Sequence, residues 1–171
     1  MALLPIVIYP APILKRVADP IESITPQIKQ LLSDMADTMY EAPGIGLAAP
    51  QVGYSVRAVV VDVGHDDEED PRPGMLLKLV NPEIIEFSGT TDYEEGCLSI
   101  PDIREKVKRH AEIKVRALNE NGEEIVIEAD GLLSICLQHE IDHLNGILFV
   151  DRLTSIRKEL IKKKLLKLAA S

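Results

Sequence analysis

The sequence predicts one domain that mixes helices with β-strands, and three observations carry that prediction. At 171 residues the chain is long enough to bury a core of its own, and no internal repeat or linker divides it. Runs rich in β-branched residues, such as Arg57 to Val63 and Glu105 to Leu118, read as strands, and Asn121-Gly122 is a hairpin signal before a returning strand at Glu124 to Glu128. Elsewhere apolar residues recur at helical spacing, once near the N-terminus and once around residues 132–144.

Prolines at 5, 10, 12 and 20 make the first 24 residues an extended, turn-rich lead-in. Thr25 followed by Pro26 starts a helix, with a capping side chain and then a residue that needs no N–H partner. Ile28, Leu31, Leu32, Met35 and Met39 form its core stripe. Pro43 to Gly53 reads as a loop of small residues. It lacks the lysine and Ser/Thr of a phosphate-binding loop and follows a helix, so close approach of a ligand backbone is the better use of its glycines. Gln51 is its one long polar side chain. The strand at 57–63 leads into an acidic, proline-containing excursion over 64–74, where His65 is expected at the surface. Met75 to Val80 is a second strand, Ile84 to Phe87 continues the β character, and Tyr93 to Pro101 places Cys97 in an extended segment. Glu105 to Leu118 reads as one strand, with Ile113, Val115 and Ala117 alternating against Glu112, Lys114 and Arg116, and with His110 exposed. Asp130 is placed to cap the following helix, and Asn145-Gly146 to stop it.

A composition of 46% hydrophobic and 27% charged residues is ordinary for a soluble globular protein. The apolar runs fall short of the roughly 18 residues that span a bilayer. The N-terminus has no basic region and is broken by proline, so it is not a signal peptide. A cytoplasmic protein is expected, with neither a membrane nor DNA as partner. In that compartment Cys97 and Cys136 stay reduced. The net charge is −9, yet residues 152–171 hold seven basic residues against Glu159 alone. That segment therefore carries +6 and the remainder −15, which makes the tail the part that meets a polyanion.

The chemistry concentrates at His139, Glu140 and His143. On a helix, side chains four apart lie on one face, so both imidazoles can hold one metal ion while Glu140, at the edge of that face, exchanges a proton with a water. Leu132, Ile135 and Cys136 continue the histidine face, and Leu133, Leu137, Ile141 and Leu144 cover the other side. A helix apolar nearly all round is a buried one. A catalytic site of this kind has three protein ligands. The HExxHxxGxxH pattern holds as far as Gly146, but Phe149 stands where the third histidine belongs. The later acids, Asp151 and Glu159, are poor substitutes, Glu159 lying among lysines. Cys97 is the best remaining donor, and a Cys-His-His set suits zinc, iron(II), cobalt or nickel. Two alternatives stay open: a metallopeptidase or other amidohydrolase on the same helix, and a structural site closed by Cys136 as fourth ligand.

Three stretches, GIGLAAPQVG at 44–53, EGCLS at 95–99 and QHEIDH at 138–143, resemble the signature motifs of peptide deformylase in order and spacing. The resemblance runs nearly end to end. Pro50, where some relatives carry threonine, is a minor departure. The resemblance implies an α+β fold, with antiparallel β-sheets packed around a central HExxH-bearing helix and further helices at the N-terminal and C-terminal ends. It implies removal of the formyl group from the initiator methionine of nascent polypeptides. Cys97, His139 and His143 would bind one divalent ion, Fe(II) natively, with Zn, Ni or Co as substitutes. Glu140 would be the general acid/base, and the Gln51 side chain and Leu98 N–H would hold the oxyanion. In that chemistry a metal-bound hydroxide attacks the formyl carbon, and the proton held by Glu140 passes to the leaving amine. Ile45, Leu132, Ile135 and Cys136 would line a pocket for the methionine side chain, and Gly46 and Gly96 would let the peptide main chain pair as an added strand. The basic C-terminal helix, about 152–171, is implied to dock on the ribosome near the peptide exit.

Overall fold

The computed structural model describes residues 3–64 and 75–169. Its helices are α1 (Pro26–Glu41), α2 (Gly131–Leu144) and α3 (Ser155–Ala169). Its strands are β1 (Gly46–Ala48), β2 (Ala58–Val61), β3 (Leu77–Ser88), β4 (Thr91–Cys97), β5 (Ile100–Arg109), β6 (Glu112–Leu118) and β7 (Glu124–Asp130). Five strands form an antiparallel sheet in the order β1-β2-β3-β6-β7, and β4 and β5 form a separate antiparallel pair. This is an α+β architecture. His65 and the acidic excursion over 65–74 lie outside the described residues. Among the described residues no helix is long and apolar enough to cross a membrane.

Thr25 begins α1 as its sequence predicts: its hydroxyl accepts a hydrogen bond from the Ile28 N–H at 3.2 Å, ahead of Pro26 at the first helical position. Leu31, Leu32, Met35 and Met39 are buried in a cluster with Leu47, Val60 and Val80. On the other side of the sheet, Leu137, Ile141 and Leu144 of α2 pack with Val59, Val61, Leu79 and Val115. Burial on both faces explains why Ala58–Val61 is apolar without alternation. At β6 only one face is buried, and the alternation of Ile113, Val115 and Ala117 holds.

Five details differ from the sequence reading. The 43–53 stretch is not all loop: Gly46–Ala48 pairs with Val59–Val61, and Ala49–Val52 forms a 3-10 turn. The small side chains let this backbone pass between α1 and α2. The two strands around Asn81-Pro82 are one, since β3 continues through a bulge there. Asn81 takes a left-handed φ of 52° and anchors the bulge by exchanging two bonds with the Ile21 backbone, at 2.9 and 2.8 Å.

Glu105 to Leu118 is two strands, broken at His110-Ala111, where the chain leaves one sheet for the other. The free backbone groups of His110 go to α2. Its N–H donates to Gln138 Oε1, and its carbonyl accepts from Gln138 Nε2, each at 2.9 Å. The His110 ring is half-buried rather than exposed, stacked on Phe87 with centroids 4.2 Å apart. Finally, Asp130 occupies the N-cap position in extended conformation, but its side chain makes no capping bond.

In α3, Ile161 and Leu165 are buried in a cluster with Ile100, Ile103, Val107 and Phe149. The apolar stripe of the basic tail therefore attaches the helix to the body, while Leu168 stays half-exposed and Lys163, Lys164 and Lys167 face solvent.

Candidate metal centre and active site

From Ser134 to Leu144 every residue of α2 is buried, so its polar side chains need partners inside the protein. His139 and His143, one turn apart, bring their Nε2 atoms to 3.2 Å. Cys97, at the end of β4, places Sγ 3.4 Å from His143 Nε2. All three donor atoms lie within 4.8 Å of one another. A tetrahedral ion with metal–nitrogen bonds of about 2.05 Å and a metal–sulfur bond of about 2.3 Å has N···N edges of ~3.3 Å and N···S edges of ~3.6 Å. The two edges at His143, 3.2 and 3.4 Å, match such an ion, and the third lies within 4.8 Å.

The electrostatics fit it too. His139 is held well above its ordinary pKa: burial works against the proton, but the Cys97 sulfur, Glu140 and Glu95 together outweigh it. A cation among the Nε2 and Sγ atoms would meet the same negative surroundings in place of that proton. His143 is pushed well below its ordinary value by burial, then by His139 and Arg109, which keeps it neutral, the form in which an imidazole can hold a metal.

Cys136 stands apart from the donor group. Its thiol donates to the Ile45 carbonyl at 3.5 Å, and burial, reinforced by Glu140 and Glu95, raises its pKa well above the ordinary value. Cys136 is not in the group of donor atoms that Cys97, His139 and His143 form, which weighs against the closed structural site. Phe149 stacks near the His139 ring, with centroids 6.1 Å apart, and serves packing where a metzincin would have a histidine.

Glu140 lies beside the donors with Oε1 buried and without a hydrogen-bond partner among the described residues. Burial, with Glu95 and Asp142 adding repulsion, raises its pKa to about 7 against the pull of His139 and Arg109. A carboxyl so placed can both take up and release a proton near neutrality. Gly46 faces it across the cleft. A Cβ there would sit 2.5 Å from Glu140 Oε2 and 2.7 Å from Cys136 Sγ, so only glycine fits without displacement.

Gln51, in the 3-10 turn after β1, is 2% exposed. Its Oε1 accepts from the Ala48 N–H at 2.9 Å, which turns the amide nitrogen toward Cys97 Sγ at 3.4 Å. Leu98, next to Cys97, opens the two-residue turn between β4 and β5. A cleft of about 510 Å³ gathers Gln51, Leu98, Cys97, His139 and Glu140. Ile45, Gly46 and Gly96 form parts of its wall, with Leu132, Ile135 and Cys136 from α2. His143 alone of the candidate residues lies outside the lining, 1% exposed beneath it.

Sequence reasoning missed the support behind the candidate donors. His139 Nδ1–H donates to Glu95 Oε1 at 2.9 Å, which fixes the tautomer that leaves Nε2 free. Arg109 grips both oxygens of Glu95, at 2.7 and 2.8 Å, and reaches Asp142 at 2.6 Å. Arg152 closes the chain with two bonds to Asp142, at 2.9 and 2.6 Å. Glu95 is held below the usual carboxylate range: burial opposes this, but Arg109 and His139 prevail. Acids two residues before Cys97 and one before His143 were the available signal. Arg104, Tyr93 and Ile103 line the outer cleft and were also not foreseen.

With this geometry in view, the comparisons with known proteins agree. The sequence profile described as Polypeptide deformylase matches residues 3–159. The peptide deformylase of Syntrophobacter fumaroxidans is 50% identical over 164 residues, covering 96% of this chain and 94% of that protein. That of Neisseria meningitidis is 51% identical over 167 residues, covering 98% and 96%. Among solved structures, a peptide deformylase from Ehrlichia chaffeensis in complex with actinonin superposes with a TM-score of 0.91 at 36% identity over 100% of both chains. A Met-Ala-Ser-bound deformylase from Acinetobacter baumannii gives 0.82 at 39% identity over 89% of this chain and 99% of that one. The fold, the cleft and these likenesses together establish that the chain belongs to the polypeptide deformylase family.

Proposed function

We propose that the chain hydrolyses the formamide of N-formylmethionyl nascent polypeptides through Glu140, Gln51 and Leu98, beside one divalent ion held by Cys97, His139 and His143. The observation that carries this reading is the convergence of three metal-donor atoms, an unpartnered buried carboxylate and an amide N–H in one cleft. The bound ion, iron(II) in the first instance with zinc, nickel or cobalt as substitutes, supplies Lewis acidity that makes a water nucleophilic at neutral pH.

Glu140 takes the proton of that water on its unpartnered oxygen and delivers it to the departing amine. Charge that develops on the formyl oxygen is met by Gln51 Nε2–H and the Leu98 N–H, and one such donor is typically worth about 3 kcal/mol in the transition state. Ile45, Leu132, Ile135 and Cys136 receive the methionine side chain. Gly46 and Gly96 allow the peptide backbone to lie between β1 and β4 as an added strand, a mode indifferent to downstream sequence. The Met-Ala-Ser held by the Acinetobacter relative supports a short N-terminal peptide as ligand.

The exposed Lys163, Lys164 and Lys167 of α3 would meet ribosomal RNA near the peptide exit, in keeping with an enzyme that works in the cytoplasm on nascent chains. The test is formate release from formyl-Met-Ala-Ser by protein loaded anaerobically with iron(II), with acetyl-Met-Ala-Ser as control and Glu140→Ala as variant. Release from the formyl peptide alone, abolished in a variant that still binds one metal per chain, is expected. Metal binding without formate release in the unsubstituted protein, or turnover retained by Glu140→Ala, overturns this mechanism.

A further inference from the structure

Ser99 belongs to the EGCLS stretch, is fully buried, and has no part in the mechanism above. Its Oγ lies 3.2 Å from Gln51 Nε2 and accepts one of the two amide hydrogens. The Gln51 carbonyl oxygen is already committed to the Ala48 N–H. With two of the amide's contacts assigned in this way, one hydrogen is left, and it points toward Cys97 Sγ at 3.4 Å, the side from which the reacting carbonyl would approach. A glutamine side chain ends in a broad torsion, so without a partner on each side the amide would swing or flip.

The backbone ties the same two segments together. The Val7 N–H donates to the Gln51 carbonyl at 2.7 Å, and the Tyr9 N–H donates to the Ser99 carbonyl at 2.9 Å. Ser99 directly follows Leu98, whose N–H is the other oxyanion donor in the reading above. One residue therefore sets the separation of both donors: its backbone carries the Leu98 turn, and its hydroxyl holds the Gln51 amide.

We propose that Ser99 is a positioning residue for the deformylation step, its hydroxyl holding the Gln51 carboxamide so that a single N–H is aimed at the developing oxyanion beside Leu98. The inference rests on the reading of Gln51 as an oxyanion donor. A donor displaced by about 1 Å can cost about 10²-fold in rate, whereas outright loss of a donor costs about 10²- to 10³-fold.

The experiment is a double-mutant cycle on the metal-loaded enzyme with formyl-Met-Ala-Ser, using Ser99→Ala, Gln51→Ala and the pair, with thermal unfolding of each. Ser99→Ala is expected to lower kcat about 10- to 100-fold while KM changes little. In the Gln51→Ala background the same change is expected to do nothing further, because there is no amide left to aim. In cobalt(II)-loaded protein, Ser99→Ala is expected to shift the sulfur-to-metal charge-transfer band, since the Gln51 N–H leaves its place near Cys97 Sγ. A kcat loss that persists in full in the Gln51→Ala background means a structural role for Ser99 and overturns the inference. So does an unchanged kcat together with an unchanged cobalt band. If Gln51→Ala itself leaves kcat intact, the oxyanion reading fails and this inference falls with it, a result distinct from the other two.

Discussion

Replacing Gly46 with alanine presses directly on Glu140. The added Cβ would lie 2.5 Å from Glu140 Oε2, where ordinary contact begins at 3.4 Å, so the carboxylate must retreat by about 0.9 Å. Cys136 Sγ, at 2.7 Å from the same point, blocks one direction of escape and must itself give way. Gly46 lies in β1 and is not among the positive-φ glycines, so the cost is one of space and not of backbone strain. Overpacking of this kind costs typically about 1–3 kcal/mol. For a chain of this size that lowers the melting temperature by roughly 2–12 °C. The activity loss is larger, because a proton-transfer group moved by about 1 Å forfeits about 10²-fold in rate. Steady-state formate release and thermal unfolding, both on metal-loaded protein, measure the two effects. A variant that keeps kcat within about threefold would show that Glu140 does not work from the position Gly46 allows it, and the assignment of the proton carrier would have to change.

Arg109→Ala breaks the buried ion pairs with Glu95 and Asp142, leaving Glu95 its bond to His139 and Asp142 its bonds to Arg152. Breaking such a pair costs about 3–5 kcal/mol, and removing the support of a metal-ligating histidine costs about 10- to 100-fold in metal affinity. Calorimetry and metal titration read these, and an unchanged melting point with unchanged affinity refutes the supporting role. Asp151, whose carboxylate takes Lys15 and the Leu148 N–H, is held below the usual carboxylate range because these partners outweigh its burial. Its contribution to stability is therefore fully present above the unfolded value of about 3.9 and is lost as pH falls through the lower folded value. Asp151→Asn is expected to flatten the acid limb of a plot of melting temperature against pH, and an identical limb in both proteins counts against it. Changing Lys163, Lys164 and Lys167 together to glutamate is expected to leave hydrolysis of short formyl peptides intact while weakening ribosome binding most at low salt. Equal sedimentation of variant and parent with ribosomes removes α3 as the docking element.

What the sequence disclosed follows a physical division. Glycine, proline and capping signals act within a few residues, so the start of α1 at Thr25-Pro26 and the end of α2 at Asn145-Gly146 were legible. The histidine pair was legible because a helix fixes which residues share a face, and Cys97 because few other donors remained. Gly46–Ala48 could not be recognised as a strand, since its three residues carry no pattern of their own and become β only by pairing with Val59–Val61. The break at His110-Ala111 was hidden for a related reason: the alternation continues on both sides, and only the Gln138 amide, 28 residues away, shows where the backbone needs another partner.

The buried charges behind the metal ligands escaped the sequence reading for a stronger reason. A hydrophobic stripe repeats, so one strand or helix suffices to reveal it, but Glu95, Arg109, Asp142 and Arg152 come from β4, β5, α2 and the turn before α3, one residue each. No single segment holds a pair of them in helical or strand register. Each alone reads as a surface charge, and burying any one unpaired would cost several kcal/mol. They are tolerable inside only as a set: Arg109 and Arg152 offset Glu95 and Asp142, and Glu95 in turn fixes His139. Because β5 and the turn before α3 both contribute arginines to this set, the packing of α3 on Ile100, Ile103 and Val107 is continuous with the support of the metal site. Disturbing the α3 attachment at Ile161 should therefore loosen Arg152 from Asp142 and lower metal affinity, although Ile161 is not itself one of the three donor residues. Ile161→Ala, followed by metal titration at a temperature where the variant is fully folded, measures that connection. An affinity equal to the parent's would mean that the arginine set holds His139 without help from the helix.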